Sequence, residues 1–179
     1  MTPEELEETL RKYNIPFHTW GQFGGKNFDE LLAELNTNES WLVESDGRIY
    51  RRVECAALDV FYHHESGRKL YLKETLRLVE GKERKRKRKW SLYEKKRLEE
   101  TPLACAYRAL QEELGIAAEL SLHGSQLKYE ECESTSFRGL WCSYAFHPFD
   151  VYLPDEWYRP EGYVATSEVP HEITHFAWR

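Results

Sequence analysis

No apolar stretch approaches the roughly 18 residues that a membrane-spanning helix needs. The opening Met1-Thr2-Pro3-Glu4-Glu5-Leu6 is acidic where a secretory leader is basic and then apolar. The expectation is a cytoplasmic protein with no membrane partner. Cysteine is scarce as well: the four present, Cys55, Cys105, Cys132 and Cys142, form no C-x-x-C pair, so reduced, buried thiols are expected. A phosphate-cradling glycine loop is also missing, because Gly21-Gln22-Phe23-Gly24-Gly25-Lys26 lacks the G-x-x-x-x-G-K-[ST] spacing. The chain is finally short of positive charge, with a net −6, which is not the footprint of a general nucleic-acid binder.

What is present is enough apolar material for one packed core, since 41% of the 179 residues are hydrophobic and 14% aromatic. The charge is strongly polarised. Residues 82–97 hold ten Lys or Arg against Glu83 and Glu94, a balance of +8, so the rest of the chain carries −14. Such an acidic body with one basic loop suits a site that gathers a compact anion.

Residues 1–40 read as an N-terminal helical extension. Leu6, Leu10 and Tyr13 fall at helical spacing behind Thr2-Pro3, and Phe28, Leu31, Leu32 and Leu35 line a second helix. Residues 41–179 read as the main domain. Strands are expected at residues 41–43, 49–62 and 69–79, the last alternating with one irregularity, then at 127–129, 140–153 and 172–178. Between them, residues 98–114 form the strongest helical pattern, with Leu103, Ala106, Leu110 and Leu114 as an apolar stripe and Gly115 placed to stop it.

On that helix Arg108 and Glu112 are four residues apart and share a face, with Glu113 beside them. Adjacent carboxylates near a basic loop make a seat for magnesium (or manganese), which takes hard oxygen ligands and completes its shell with water and phosphate oxygens. The plain alternative is a solvated acidic helix face. Spacing favours the seat, because Glu100, Arg108, Leu110, Glu112, Glu113, Gly115 and Ile116 all fall in register with G-x5-E-x7-R-E-U-x-E-E-x-G-U, U being aliphatic. The segment thus resembles the Nudix box. Trp90 and the closing Ile173-Thr174-His175-Phe176-Ala177-Trp178 also resemble that family's pattern.

The resemblance implies a Nudix-like α/β/α sandwich, a mixed β-sheet flanked by helices, and a magnesium-dependent hydrolase of a phosphoanhydride in a nucleoside diphosphate linked to another moiety. It implies catalytic roles for Arg108, Glu112 and Glu113, and a metal held by Glu100, Glu112 and Glu113. Arg84, Arg86, Arg88 and Arg97 would bind the phosphates of a small nucleotide derivative, with RNA a weaker partner. Two departures favour a rival, a nucleotide-binding or regulatory module that lost turnover. Glu94 stands in place of the box's opening glycine, and Ala109 in place of its first paired glutamate. A later acid could stand in for the latter, and Glu130, Glu131 and Glu133 are the nearest candidates. The sequence allows a homodimer without specifying one.

His171-Glu172-Ile173-Thr174-His175 satisfies the letters of the helical zinc motif H-E-x-x-H. Pro170 before it and the β-forming Ile173, Thr174, Phe176 and Trp178 around it predict a strand instead.

Overall fold

The computed structural model describes residues 1–22, 25–84, 89–168 and 171–179. The elements run α1 (Pro3–Lys12), α2 (Phe28–Asn36), β1 (Trp41–Ser45), β2 (Arg48–His63), β3 (Lys69–Val79), β4 (Lys82–Glu83), β5 (Leu92–Lys95), α3 (Pro102–Leu114), β6 (Leu122–Gly124), β7 (Lys128–Glu133), β8 (Trp141–Tyr152), β9 (Tyr163–Ser167) and β10 (Glu172–Trp178). The α/β class expected from the sequence holds. No helix among the described residues is long and apolar enough to cross a membrane.

One compact unit comprises Met1–Cys55, Lys95–Glu100 and Lys128–Phe146. Its first helix starts where the sequence places it. The Thr2 hydroxyl accepts from the Glu5 N–H at 3.2 Å while the Glu5 carboxylate accepts from the Thr2 N–H at 2.7 Å, a reciprocal cap with Pro3 in the first turn. Asn27 and Glu30 repeat the device on α2. The helices bury Leu6, Leu10 and Leu31 against Trp20, Ile49, Phe137 and Leu140. The first 40 residues therefore draw their core partners from far along the chain. A tight turn at Asp46-Gly47, both at positive φ (50° and 72°), joins β1 to β2. Strand β7 pairs antiparallel with the first half of β8, from Lys128 opposite Phe146 to Glu133 opposite Trp141.

The second unit comprises Ala56–Glu94, Thr101–Leu127 and His147–Arg179. Within it β3 pairs antiparallel with the end of β2 and with β10, β10 pairs antiparallel with β9, and β6 with the end of β8. The irregularity expected in β3 is a bulge: Leu76 faces His175 but Glu74 faces Phe176, leaving Thr75 between them unmatched. A second tight turn, at Glu80-Gly81 (φ 50° and 71°), returns β4 onto β3.

Helix α3 is shorter than its apolar pattern suggests. It begins at Pro102, where Thr101 caps it by accepting from the Ala104 N–H at 3.1 Å, and it ends at Gly115, whose φ of 68° only glycine adopts without strain. Leu98 and Leu103 are 57% and 45% exposed. The stripe that packs is Cys105, Ala106, Ala109, Leu110 and Leu114, set against Ala56, Leu58, Val60, Leu72 and Phe176. Small residues at 105, 106 and 109 let the helix axis approach the strands, so the core-facing side is rotated from the one that leucines alone mark.

Gly162 opens β9 under a tighter constraint. A Cβ there would lie 1.9 Å from the Phe176 carbonyl oxygen, and its φ is +84°. The obstacle is backbone of β10, which cannot swing aside. Gly162→Ala is expected to cost about 2 kcal/mol, read as a lowered urea midpoint, with an unchanged midpoint refuting this packing.

Candidate functional site

The last turn of α3 presents Glu112 and Glu113 to an open pocket of about 310 Å³, also lined by Ala165, Thr166 and Ser167 from β9 and by Glu172 and Thr174 from β10. Why these strands supply polar groups follows from their pleat: Glu172 and Thr174 lie two apart and share a face, while Thr166 and Ser167 close β9 beyond its core residue Tyr163. The pocket wall is therefore acidic and hydroxylic. It also lies at a helix C-terminus, where the backbone carbonyls favour a cation.

Arg108 behaves as expected in holding a carboxylate, but its stronger partner is not on the helix. Its Nη1 lies 2.7 Å from Glu94 Oε1 and 3.3 Å from Glu112 Oε2, with Arg108 16% exposed and Glu112 52% exposed at the side chain. Thus Glu94, the departure from the box's opening glycine, contributes an ion pair that anchors Arg108, and its carbonyl accepts from the Cys105 thiol at 3.5 Å. Glu112 is left with one oriented oxygen and an exposed edge.

On the opposite wall Arg77 grips Glu172 with two hydrogen bonds, 2.5 Å from Nε to Oε1 and 2.6 Å from Nη2 to Oε2, and the Thr174 hydroxyl donates to Glu172 Oε1 at 3.1 Å. Arg77 is held above its usual range chiefly by the Glu172 hydrogen bonds, with smaller contributions from Glu74 and Glu113. Arg77 and Glu172 were not singled out by sequence reasoning as site residues. The available signal was the polar Glu172-x-Thr174 alternation on one face of the strand, masked by its resemblance to a zinc motif. As a strand, that motif sets His171 and His175 about 13 Å apart. Among the described residues no group of three His, Cys, Asp or Glu side chains is gathered for a metal.

Among the described residues carboxylates outnumber guanidiniums here: Glu94, Glu112, Glu113 and Glu172 face Arg77 and Arg108. A phosphate entering alone would meet a negative wall. The donor set is all oxygen, and magnesium typically uses one or two protein carboxylates with the rest of its shell from water and phosphate. Glu112 and Glu113 fit that mode.

Glu100 and Arg97 close a turn on each other, the Arg97 N–H donating to Glu100 Oε2 and the Glu100 N–H to the Arg97 carbonyl, both at 3.1 Å. The Arg97 side chain is exposed. Arg84 is exposed too, its backbone N–H donating to the Arg77 carbonyl at 2.9 Å. Arg86 and Arg88 fall outside the described residues. Glu130, Glu131 and Glu133 are exposed on β7. Ala109 is fully buried, its methyl packed among the core residues.

No family model matches the sequence, and no curated protein matches it. Comparison with solved structures finds the Ap4A hydrolase of C. elegans at 18% identity, with 70% of this chain and 78% of that one covered and a TM-score of 0.37. It also finds the Nudix hydrolase RenU of M. smegmatis at 18% identity, covering 64% and 68%, with a TM-score of 0.35. The NUDIX domain of Shewanella oneidensis NrtR, complexed with ADP ribose, shares 12% identity over 71% of each chain at a TM-score of 0.37.

Proposed function

We propose that the protein is a magnesium-dependent hydrolase of the Nudix kind that cleaves a phosphoanhydride in a nucleoside diphosphate linked to another moiety. The observation that carries this reading is the placement of Glu112 and Glu113, in box register, on the wall of the acidic, hydroxyl-lined pocket. Glu112 and Glu113 hold the ion, which when bound neutralises the diphosphate and supplies an acidic water. Arg108, fixed by Glu94, keeps the inner oxygen of Glu112 turned toward the helix, so its exposed oxygen is the one offered to the pocket. Arg77 and Thr174 immobilise Glu172, which leaves that carboxylate as a fixed negative wall that would favour a cation held by Glu112 and Glu113. The Thr166 and Ser167 hydroxyls donate to phosphate oxygens. Arg84, Arg86, Arg88 and Arg97 draw the polyanion in by charge, and Glu100 supports the turn that leads into α3.

The rival reading, a nucleotide-binding module without turnover, is favoured by one observation: position 109 offers only a buried methyl where the box has a carboxylate. One experiment separates the two. Nucleoside diphosphate derivatives are incubated with the full chain in magnesium or in excess chelator, and products are resolved by anion exchange while binding is followed by calorimetry. The hydrolase reading expects a nucleoside monophosphate and a second phosphomonoester in magnesium alone. Binding without product supports the module, and neither binding nor product removes both.

A further inference from the structure

The register of β7 and β8 sets Cys132 directly opposite Cys142. Residues facing each other in an antiparallel pair have Cα atoms about 4.5 or 5.5 Å apart, according to whether the pair is hydrogen-bonded, and point to the same face of the sheet. Both separations lie within the roughly 4.4–6.8 Å that a disulfide spans. The two thiols differ in access: Cys132 is exposed and Cys142 fully buried. Burial, with smaller contributions from the Cys142 sulfur and Glu130, raises the Cys132 thiol above its usual range. The buried partner is held in place, since Arg51 Nη1 donates to Cys142 Sγ at 3.5 Å and Arg51 is itself fixed by Glu34.

We propose that Cys132 and Cys142 form a reversible cross-strand disulfide, with Cys132 the thiol that meets the oxidant and Cys142 the one that resolves it. The oxidant is a low-molecular-weight disulfide. The Cys132 thiolate attacks it, forming a mixed disulfide and releasing one small thiol. The Cys142 sulfur then attacks Cys132 Sγ, the Cys132–Cys142 bond forms, and the second small thiol leaves with the Cys142 proton. The two protein thiols lose two electrons and two protons, and the small disulfide gains them. The bond ties the fully exposed β7 to β8, so an oxidised chain keeps that outer strand paired. Cys55 and Cys105 are both buried and have no such route from solvent. The inference is independent of the proposed hydrolase activity.

The test uses the full-length protein incubated with glutathione disulfide, quenched in acid, alkylated after unfolding, and digested with trypsin. The expected result is one species in which the peptide of residues 129–138 is joined to that of residues 139–179, with Cys55 and Cys105 alkylated, and the link is lost on treatment with dithiothreitol. Cys132→Ser, a change at an exposed position, leaves Cys142 alkylated. Cys142→Ser leaves a stable glutathione adduct on Cys132. Any of three findings overturns the proposal: a lasting glutathione adduct on Cys132 in the unmodified protein with Cys142 still free, a link to Cys55 or Cys105 or between chains, or four unreacted thiols.

Discussion

Glu113→Gln is expected to lower turnover of a nucleoside diphosphate derivative by about a hundredfold or more, with little change in melting. Glutamine keeps the shape of Glu113 and its place on the pocket wall but removes the charge that draws a divalent ion and one of its hard oxygen ligands. The loss should fall partly on the metal: half-saturating magnesium should rise along with the fall in kcat, and manganese, which binds such sites more tightly, should restore part of the rate. Glu112→Gln should be milder at the metal, because Glu112 already shares one oxygen with Arg108, 3.3 Å away. Arg108 keeps Glu94 at 2.7 Å in that variant, so the helix loses no anchor. Turnover equal in Glu113→Gln and the unmodified protein, at every magnesium concentration, would remove the hydrolase reading as drawn here.

The parts of the fold that were legible are those governed by one residue or by a short period. Gly115 ends α3 because only glycine takes its backbone angle freely, and Asp46-Gly47 turns because both residues tolerate positive φ. The alternation through residues 69–79 and 172–178 predicted β3 and β10, and even the slip in β3 appears as a bulge at Thr75. The start of α3 was misread, although Thr101-Pro102 repeats the Thr2-Pro3 signature that opens α1. The misleading signal was Leu98 and Leu103, apolar yet exposed, since periodicity reports an apolar face without saying which element covers it. Buried thiols were expected throughout, and Cys132 is instead exposed on β7. Its opposition to Cys142 depends on strand register, which no single strand's composition contains.

The candidate site divides in the same way. Arg108, Glu112 and Glu113 were legible because helical spacing alone puts them on one side of α3. Arg77 and Glu172 were not, because they meet only through the pairing of β3 with β10, 95 positions apart in the chain. Glu94 was read as a defect in the box. Its ion pair with Arg108 could be seen only once β5 and α3 were placed.

The largest stability effect is expected from the charge cluster buried beside the N-terminal helices. Glu34, 5% exposed, receives Arg51 Nε at 3.0 Å, a second Arg51 nitrogen, Lys26 at 2.5 Å, Lys95 at 2.7 Å and the Ser40 hydroxyl at 3.4 Å. Burial by itself would raise this carboxyl. The charges of Arg51 and Lys95, with hydrogen bonds from Lys26 and Lys95, overcome that and hold it at about 2 against an ordinary 4.5. Since the folded value lies below the unfolded one, the stabilisation is complete above pH 4.5 and is lost as pH falls through about 2. Its size is on the order of 3 kcal/mol. Glu34→Gln leaves the Arg51 guanidinium, 4% exposed, without its anion, and is expected to cost about 3–5 kcal/mol near neutral pH. The charge origin is read from pH: the gap in urea midpoint between Glu34→Gln and the unmodified protein should shrink below pH 4.5, where the native carboxyl begins to protonate in the unfolded chain. The double variant Glu34→Leu/Arg51→Met, which removes both charges and keeps the volume, should recover most of the loss. A gap that stays constant with pH and persists in the double variant would assign the effect to packing and overturn the electrostatic account.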